Sequence, residues 1–381
     1  MARSIKVGCK RIYREDHMEL KRQLKLLNKF AKKTIRTKYG DTYDCINLYE
    51  QPFFNYHSLK NHTHDFPVRS TSNPKGSRDQ KSSPLFNPSN FWLNGKGCPD
   101  GMVPIKRNTE DDLRRAKIAT EIHNSKYRPL TIDRPGTHYA IVRTKNTNNV
   151  YHGGSAIISI YNPKVEGTQY SSARIKVQSG PDSIEVGWTV NPSLYNDTRT
   201  RLYTFTKTAN SSCFNTLCKS IIPASTDIPL GIDIEPISTT EQQFDMKFML
   251  FWDSSNGNWF LKFGQDETVI GFWPKNVFTA LGDGASYVEW GGEVFSPPGV
   301  PSPPMGSAYS AKLKEDTRYD AYCRQIKTIN ETDYVVNAVD TEAFRDITEY
   351  EVLDEGIVGR ADVQHIILFG GLGGYTGNKD F

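Results

Sequence analysis

Short runs of alternating apolar and polar residues fill the sequence from about residue 137 to its end. They include HYAIVRT, AIISIYNP, ARIKVQSG, SIEVGWTV, RLYTFTKT, FDMKFMLFWD, NWFLKFG, TVIGFWP and YVEWGGEV, and turn residues separate them. The SSNGN segment at 254–258, between two aromatic runs, is typical of a β-hairpin. Many short strands at this spacing predict a mainly β fold, either a sandwich or a barrel.

The N-terminal third has a different texture, and its clearest feature is a helical pattern over residues 15–37. Apolar residues recur there at helical spacing on one face, with lysines elsewhere, and the apolar residues are Leu20, Leu24, Leu27 and Ala31. This pattern predicts an amphipathic helix that packs on its own domain.

Two further segments of this third have a local interpretation. Residues 66–90 are rich in Ser, Pro, Asn and Lys, which predicts an exposed loop. Residues 109–123 begin with Thr109 followed by acidic residues, which predicts a short helix.

Charge divides the chain into two unlike parts. Residues 1–134 hold 27 Lys and Arg against 14 Asp and Glu, a net charge of +13, whereas residues 135–381 have a net charge of −9. The two parts are therefore expected to attract each other. A basic arm for nucleic acid is the other interpretation, but no nucleic-acid motif accompanies the charge, so we expect no nucleic-acid partner.

Several classes of protein and site lack support in the sequence. The longest apolar candidate, HIILFGGLGGY at 365–375, is too short for a membrane helix, and the N-terminal MARSIKVGCKRIYRED lacks the apolar run of a signal peptide. The sequence has no CxxC, HExxH, GxSxG or phosphate-binding glycine loop. We therefore expect no metal, no cofactor and no membrane partner.

Two strand-like segments carry the acidic residues of most interest. In SIEVGWTV, alternation places Glu185 on the face opposite Trp188, beside a glycine. In YVEWGGEV, Glu289 and Glu293 share a face if the strand is uninterrupted, although the adjacent glycines are also compatible with a bulge. The glycines are expected to let a polypeptide approach the sheet closely.

Two carboxylates over one sheet face form a known kind of catalyst. One stays ionised and removes a proton from water, while the other keeps its proton and stabilises the oxygen of the attacked carbonyl. Such a pair needs no metal. The alternative is that each glutamate pairs with a Lys or Arg on a solvated face.

Cysteine spacing and glycosylation motifs bear on the compartment. Cys213 and Cys218 lie five apart, a spacing suited to a small disulfide-closed loop. Four N-glycosylation motifs are present, and they begin at Asn61, Asn196, Asn210 and Asn330. They favour secretion only weakly, since such motifs arise by chance at about this density.

Longer motifs resemble the neprosin family of plant peptidases. They are IEVGWTVNPSLYNDTRTRLYTFTKT, CFNTLCKS, LGIDIEPIS, GNWFLKF, IGFWPKNVF, VEWGGEV and MGSA. Upstream, the segment from LKLLNKF to NYHSLKNH and CPDGMVPIKR resemble that family's activation peptide. The resemblance covers the chain from about residue 20 to the C-terminus.

The resemblance implies a fold and an activity. It implies a secreted or vacuolar zymogen of a glutamate-dependent endopeptidase that cleaves after proline, working best in acid. Residues 1–134 (the prosegment) are expected to inhibit residues 135–381 (the C-terminal domain), an antiparallel β-sandwich. The family's I-E-x-G-W and W-G-G-E motifs place its two catalytic glutamates on Glu185 and Glu293 of this sequence.

The resemblance also implies disulfides Cys45–Cys98 and Cys213–Cys218, and it leaves Cys9 and Cys323 without an obvious partner. Trp188 and Trp290 neighbour the two glutamates in sequence, and they either hold substrate proline or pack beneath the site. The other class of function for such a chain is a catalytically inactive sandwich that binds cell-wall glycan or protein.

Overall fold

The computed structural model of the protein describes residues 17–28, 31–54, 70, 72–76, 87–124, 136–145, 148–218, 220–311 and 319–374. Most of the predicted loop at 66–90 lies outside these residues, as do Cys9 and Asn61. No helix in the described part of the chain is long and apolar enough to cross a membrane.

The described residues form three α-helices, nineteen strands and several short 3-10 helices. The helices are α1 (17–27), α2 (Glu110–Asn124) and the one-turn α3 (Pro192–Tyr195). The strands are β1 (Lys33–Arg36), β2 (Thr42–Asn47), β3 (Met102–Lys106), β4 (Thr137–Thr144), β5 (Gly153–Ser159), β6 (Tyr170–Ser179), β7 (Asp182–Val190), β8 (Arg201–Lys207), β9 (Ser212–Phe214), β10 (Ile222–Pro223), β11 (Asp245–Asp253), β12 (Asn258–Phe263), β13 (Thr268–Trp273), β14 (Tyr287–Phe295), β15 (Ala321–Ile329), β16 (Val335–Asn337), β17 (Thr341–Arg345), β18 (Glu351–Ile357) and β19 (His365–Gly370).

The C-terminal domain is built from two antiparallel sheets, which confirms the predicted sandwich. Seven strands pair in the order β17-β4-β14-β6-β7-β8-β9. Nine strands form the other sheet, in the order β10-β13-β12-β11-β5-β15-β19-β18, with β16 beside β15. The hairpin predicted around 254–258 joins β11 to β12, with Trp252 opposite Trp259.

The core lies between these sheets and is built from the apolar parity of each strand. Three tryptophans join the sheets by hydrogen bonds that satisfy their indole N–H groups. Trp188 donates to the carbonyl of Ser159 at 2.8 Å, and Trp290 donates to that of Ser155 at 3.1 Å. Trp273 donates to Thr206 Oγ1 at 2.8 Å. The inner faces of β7 and β14 are thereby held against the nine-stranded sheet.

The prosegment contributes the helices α1 and α2 and a small sheet in the order β1-β2-β3. The helix predicted over 15–37 is wrong beyond residue 27, because residues 33–36 form a strand in which Ile35 lies opposite Tyr43. β-Branched residues in that stretch favour a strand once a pairing partner is present. Helix α2 agrees with the prediction to within a residue. Thr109 and Asp112 cap it reciprocally, with distances of 2.7 and 3.1 Å.

Both implied disulfides are present. Cys45 of β2 is bonded to Cys98, and Cys213 of β9 is bonded to Cys218. Cys323 lies buried in the core and forms no disulfide with any cysteine in the described part of the chain. Strand β2 of the prosegment is therefore cross-linked to the segment that precedes β3, and the boundary at residue 134 stays a prediction.

Candidate active site

Three glutamates share the outer face of the seven-stranded sheet, the face turned away from the core. Strand β6 runs between β7, which carries Glu185, and β14, which carries Glu289 and Glu293. Strand β14 pairs without interruption with β6 from Tyr287 to Phe295 and with β4 from Glu289 to Phe295, so the adjacent glycines insert no bulge. The three side chains lie on this face, and each residue is at most 3% exposed.

Arg174 of β6 lies among these carboxylates and is itself fully buried. Its Nη2 lies 2.8 Å from Glu293 Oε2, and its Nε lies 3.2 Å from the same oxygen. The same Nε lies 3.4 Å from Glu185 Oε2, and Nη1 donates to Glu289 Oε1. One guanidinium thus contacts all three acids, so the glutamates are not paired with bases on a solvated face.

Two glycines flank Arg174 in register. Gly187 of β7 lies opposite it on one side and Gly291 of β14 on the other. Gly291 has a φ of +134°, and a Cβ there would lie 2.4 Å from the carbonyl oxygen of Ala140. A Cβ at Gly187 would lie 2.0 Å from the carbonyl oxygen of Ala173, so neither position has room for a side chain. In this structure, the room expected for a polypeptide beside the glycines holds an arginine.

His123, at the end of prosegment helix α2, inserts between the two predicted catalytic glutamates. Its Nε2 lies 3.1 Å from Glu185 Oε2, and its Nδ1 lies 3.6 Å from Glu293 Oε1. Tyr170 donates to Glu293 Oε1, and its hydroxyl lies 3.3 Å from His123 Nδ1. Both ring nitrogens therefore lie close to oxygen atoms of the site.

Aromatic rings surround the imidazole. The ring centroid of Phe205 lies 4.1 Å from that of His123, that of Phe214 lies 5.3 Å away, and that of Tyr170 lies 5.8 Å away. His123 is 4% exposed. The prosegment therefore fills an aromatic pocket directly beside the carboxylates.

Local charge sets the ionisation of the acids. Burial alone would raise the pKa of Glu185, but Arg174 and His123 together hold that pKa well below its usual value. Burial also raises the pKa of Glu289 and Arg174 lowers it, with the net result that this pKa is lowered. Two of the three carboxyl groups are thus held ionised while the prosegment is docked.

The two tryptophans that neighbour the acids do not reach this face. Trp188 and Trp290 are fully buried between the sheets, where strand alternation directs them. Their assignment to substrate binding is wrong, and the alternative that they pack beneath the site describes their position. The structure does bring Glu185 and Glu293 together.

Sequence reasoning missed Arg174, His123 and Tyr170. Arg174 belongs to the alternating run ARIKVQSG, and a charged residue in such a run is usually solvent-exposed. His123 closes a helix that ends within a basic segment, which is an ordinary place for a cation. The feature that could have indicated a buried arginine is that Gly187 and Gly291 both lie opposite Arg174. This register is known only once the strands have been paired.

The fold and the site together define a class of protein. It is an antiparallel β-sandwich whose buried acidic cluster is covered by the chain's own N-terminal segment. The sequence model of the neprosin family matches residues 167–372, and the model of the neprosin activation peptide matches residues 34–148. The chain belongs to the neprosin family of peptidases, and it carries that family's activation peptide.

Solved structures that align with this chain at low TM-scores include a peptidase and two lectins. A scytalido-glutamic peptidase bound to a peptide-based transition-state analogue aligns with a TM-score of 0.34 and 7% identity, over 62% of this chain and 98% of its own. The chicken-liver agglutinin CG-16 aligns with a TM-score of 0.23 and 8% identity, over 40% and 93%. A toad ovary galectin aligns with a TM-score of 0.22 and 10% identity, over 41% and 93%.

Proposed function

We propose that this chain is the zymogen of a glutamate-dependent endopeptidase that cleaves after proline at acidic pH, with Glu185 and Glu293 as its catalytic residues. The observation that carries the proposal is the position of His123. A prosegment side chain lies between two buried carboxyl groups from separate strands, and it contacts both. An inhibitory segment placed there blocks the pair from water and from substrate.

The proposed reaction needs water and the two carboxyl groups. The ionised glutamate takes a proton from water, and the water oxygen forms a bond to the carbonyl carbon. The protonated glutamate stabilises the resulting oxyanion and then supplies the proton with which the amine leaves. At the end of the cycle the base holds the proton that it took from water, and the acid has lost its proton to the amine. One proton therefore passes from the base to the acid, directly or through solvent, before the next turnover.

Hydrogen bonding favours Glu293 as the base. It accepts from Arg174 Nε and Nη2 and from the hydroxyl of Tyr170. Donors aimed at a carboxylate favour its charged form. Glu185 is reached by Arg174 only at 3.4 Å, and its other partner is His123. Once the prosegment leaves, Glu185 loses that partner and becomes the group that holds the proton.

The shape of the pocket supports proline as the residue before the scissile bond. The imidazole of His123 is a five-membered ring held by Phe205, Phe214 and Tyr170. A pyrrolidine ring has the same ring size and an apolar surface suited to aromatic walls. Departure of His123 would leave a space of that size next to the carboxyl pair.

The proposed dependence of activation on acid rests on the same contact between His123 and Glu185. Of the groups that lower the pKa of Glu185, Arg174 stays in place when the prosegment leaves, and only the part that His123 supplies stabilises docking. That part is present at neutral pH and is lost progressively as the pH falls from the ordinary carboxyl value of 4.5 towards the lowered one. Acid therefore weakens the contact of the prosegment and supplies the proton that the exposed pair needs.

The overall charge split contributes less specifically than the residue contacts do. Lys38 of the prosegment pairs with Glu235 of the C-terminal domain, as the split predicts. Asp41 of the prosegment, however, pairs with Arg201 at 2.8 Å, which reverses the expected signs. Docking is thus supported by individual ion pairs of both polarities.

We also propose secretion or vacuolar delivery, with glycans as an associated feature. Asn196 and Asn210 have exposed side chains suited to modification. Asn330 is half-buried, and its Oδ1 accepts from the backbone N–H of Thr332 and from that of Tyr334. Mass spectrometry of intact protein before and after glycosidase treatment, from a eukaryotic host, measures which asparagines are modified.

Incubation of the full chain with a proline-rich peptide at pH 3–5, followed by mass spectrometry, tests the function. The proposal predicts products that end in proline and their loss in the Glu293→Gln variant. The matched control is Glu342→Gln. Glu342 lies on edge strand β17 and pairs with Arg143, and the variant is expected to cleave the peptide normally. Absence of cleavage across this range would favour a binding role for glycan or protein instead.

A further inference from the structure

We infer that Arg174 is a positioning residue for the glutamate pair, and that Glu289 anchors it; this inference rests on the proposed function. Arg174 contacts neither water nor substrate in the proposed reaction. It acts through Glu185 and Glu293, whose carboxyl groups lie 3.4 and 2.8 Å from its nitrogens. Glu289 has no step in the proposed reaction, although it lies fully buried on the same face.

Each nitrogen of the guanidinium has a separate task. Nε faces Glu185 and Glu293, Nη2 faces Glu293, and Nη1 faces Glu289. The planar guanidinium holds these directions in fixed relation, which a lysine ammonium on a flexible stem does not. The distance between the two catalytic carboxyl groups is therefore set by one rigid group on the strand between them.

Glu289 holds the far end of the guanidinium. Its Oε1 accepts from Nη1, and its Oε2 accepts from the hydroxyl of Tyr287. With Glu289 ionised, its negative charge partly offsets the positive charge of Arg174 at the catalytic pair. The anchor thus fixes the direction of the guanidinium and limits how strongly it opposes protonation of Glu185.

The flanking glycines are consistent with this role. Gly187 and Gly291 are in register with Arg174, so no side chain competes for the surface that it covers. Lys176 of the same strand is a second buried cation, in register with Glu185 and Glu289, and His123 also faces the acids. Burial of such a group of charges is costly unless geometry and hydrogen bonding are satisfied. An arrangement of this kind, beside the contact with the prosegment, fits a role in fixing acid and base.

The test compares variants of the full chain for cleavage of a proline-containing peptide across pH 2–7, after incubation in acid. Arg174→Met removes the charge. We expect kcat to fall about 100-fold with KM changed less than about threefold, and the acid limb of the kcat profile to move up by about one pH unit. Arg174→Lys restores the position of the limb while kcat stays low.

A second variant gives a shift of opposite sign. Glu289→Gln keeps the shape of the side chain but removes its charge, so the field of Arg174 falls more fully on the pair and the acid limb moves down. Arg324→Met is the matched control, because Arg324 is a partly buried arginine in the other sheet that binds Asp245 at 2.7 Å. Its profile is expected to keep the wild-type limb. A general loss of packing cannot move the limb in opposite directions.

The outcomes separate this inference from the proposed function. If wild type cleaves and folded Arg174→Met keeps both kcat and the acid limb, Arg174 is not a positioning residue. Limbs that move the same way in Arg174→Met and Glu289→Gln would also overturn it. If wild type itself leaves the peptide intact, the proposed function fails first; a pH titration of ¹³C-labelled glutamate carboxyl groups in the full chain then shows whether the two variants still shift them in opposite directions.

Discussion

His123 Nε2 lies 3.1 Å from Glu185 Oε2, although the two residues are 62 positions apart and belong to the two parts of the chain. This contact joins latency to catalysis in the proposed account. The side chain that blocks the carboxyl pair is also one that holds Glu185 ionised. Any change to this contact is expected to alter both the stability of the zymogen and its response to acid.

His123→Ala is predicted to weaken docking of the prosegment by about 2 kcal/mol, because Glu185 loses a charge-assisted hydrogen bond in a buried site. Activation of the full chain should then be faster in acid and should begin at a higher pH. His17→Ala is the control, since His17 pairs with Glu110 at a partly exposed position, 3.2 Å away. Activation of His123→Ala at the wild-type rate and pH would contradict the assigned role.

Asp233 gives a pH dependence of opposite sign. Burial raises its pKa to about 6 despite Arg201 and Arg199. The stabilisation from its protonated form is complete below the ordinary value of 3.8 and is lost as the pH rises through 6. Asp233→Asn should therefore increase the free energy of unfolding at pH 7 by up to about 2 kcal/mol, seen as a higher thermal midpoint. At pH 3.5 the midpoint should change little.

Asp197→Asn is the contrasting variant, because the net effect of Arg201 and Arg199 is to lower the pKa of Asp197 against burial. Its contribution is present at neutral pH and is lost in acid, so the variant should be less stable than wild type at pH 7 and converge with it at pH 3. Equal shifts for both variants at both pH values would refute the assignment of charge in this cluster.

Removal of the Cys45–Cys98 disulfide is predicted to loosen the prosegment. The bridge spans 53 residues, and closing a loop of that length stabilises by about 4 kcal/mol in the chain-entropy treatment. The double alanine variant should release the prosegment at lower temperature and activate faster. The corresponding double alanine variant of Cys213 and Cys218 removes a disulfide that closes a loop of only five residues in the C-terminal domain. It should leave activation close to wild type, and the reverse order would contradict the prediction.

The aromatic pocket predicts a change in selectivity. Phe205→Ala removes the ring nearest to His123 and enlarges the pocket. We expect kcat/KM for a peptide with proline before the scissile bond to fall about tenfold or more, with a smaller loss for the matched alanine peptide. Steady-state kinetics on both peptides measure this ratio, and an unchanged ratio would show that the proline ring binds elsewhere.

Alternation within single strands was enough to predict which glutamates share a face. The period of two directs Glu185 and Glu293 outward and Trp188 inward wherever pairing is uninterrupted. Only pairing information could show that β6 separates the two strands. Arg174 therefore looked like an ordinary exposed residue, although three carboxylates and two glycines enclose it.

The prosegment was harder to predict for a related reason. Lysines at helical spacing continue through residues 29–33, so the sequence pattern extends the helix beyond its end. Pairing of Ile35 with Tyr43 determines the outcome instead. His123 belongs to a correctly predicted helix, but its role depends on where that helix docks, which no local pattern records.

The most direct test of the central claim is kcat for the Glu185→Gln variant, the Glu293→Gln variant and the double variant, with Glu342→Gln as control. If the two acids act as one unit, each single variant should lose about 1,000-fold or more, and the double variant should lose no more than the worse single. Near-wild-type peptidase activity in either single variant, with the variant folded and its prosegment released, would contradict the account.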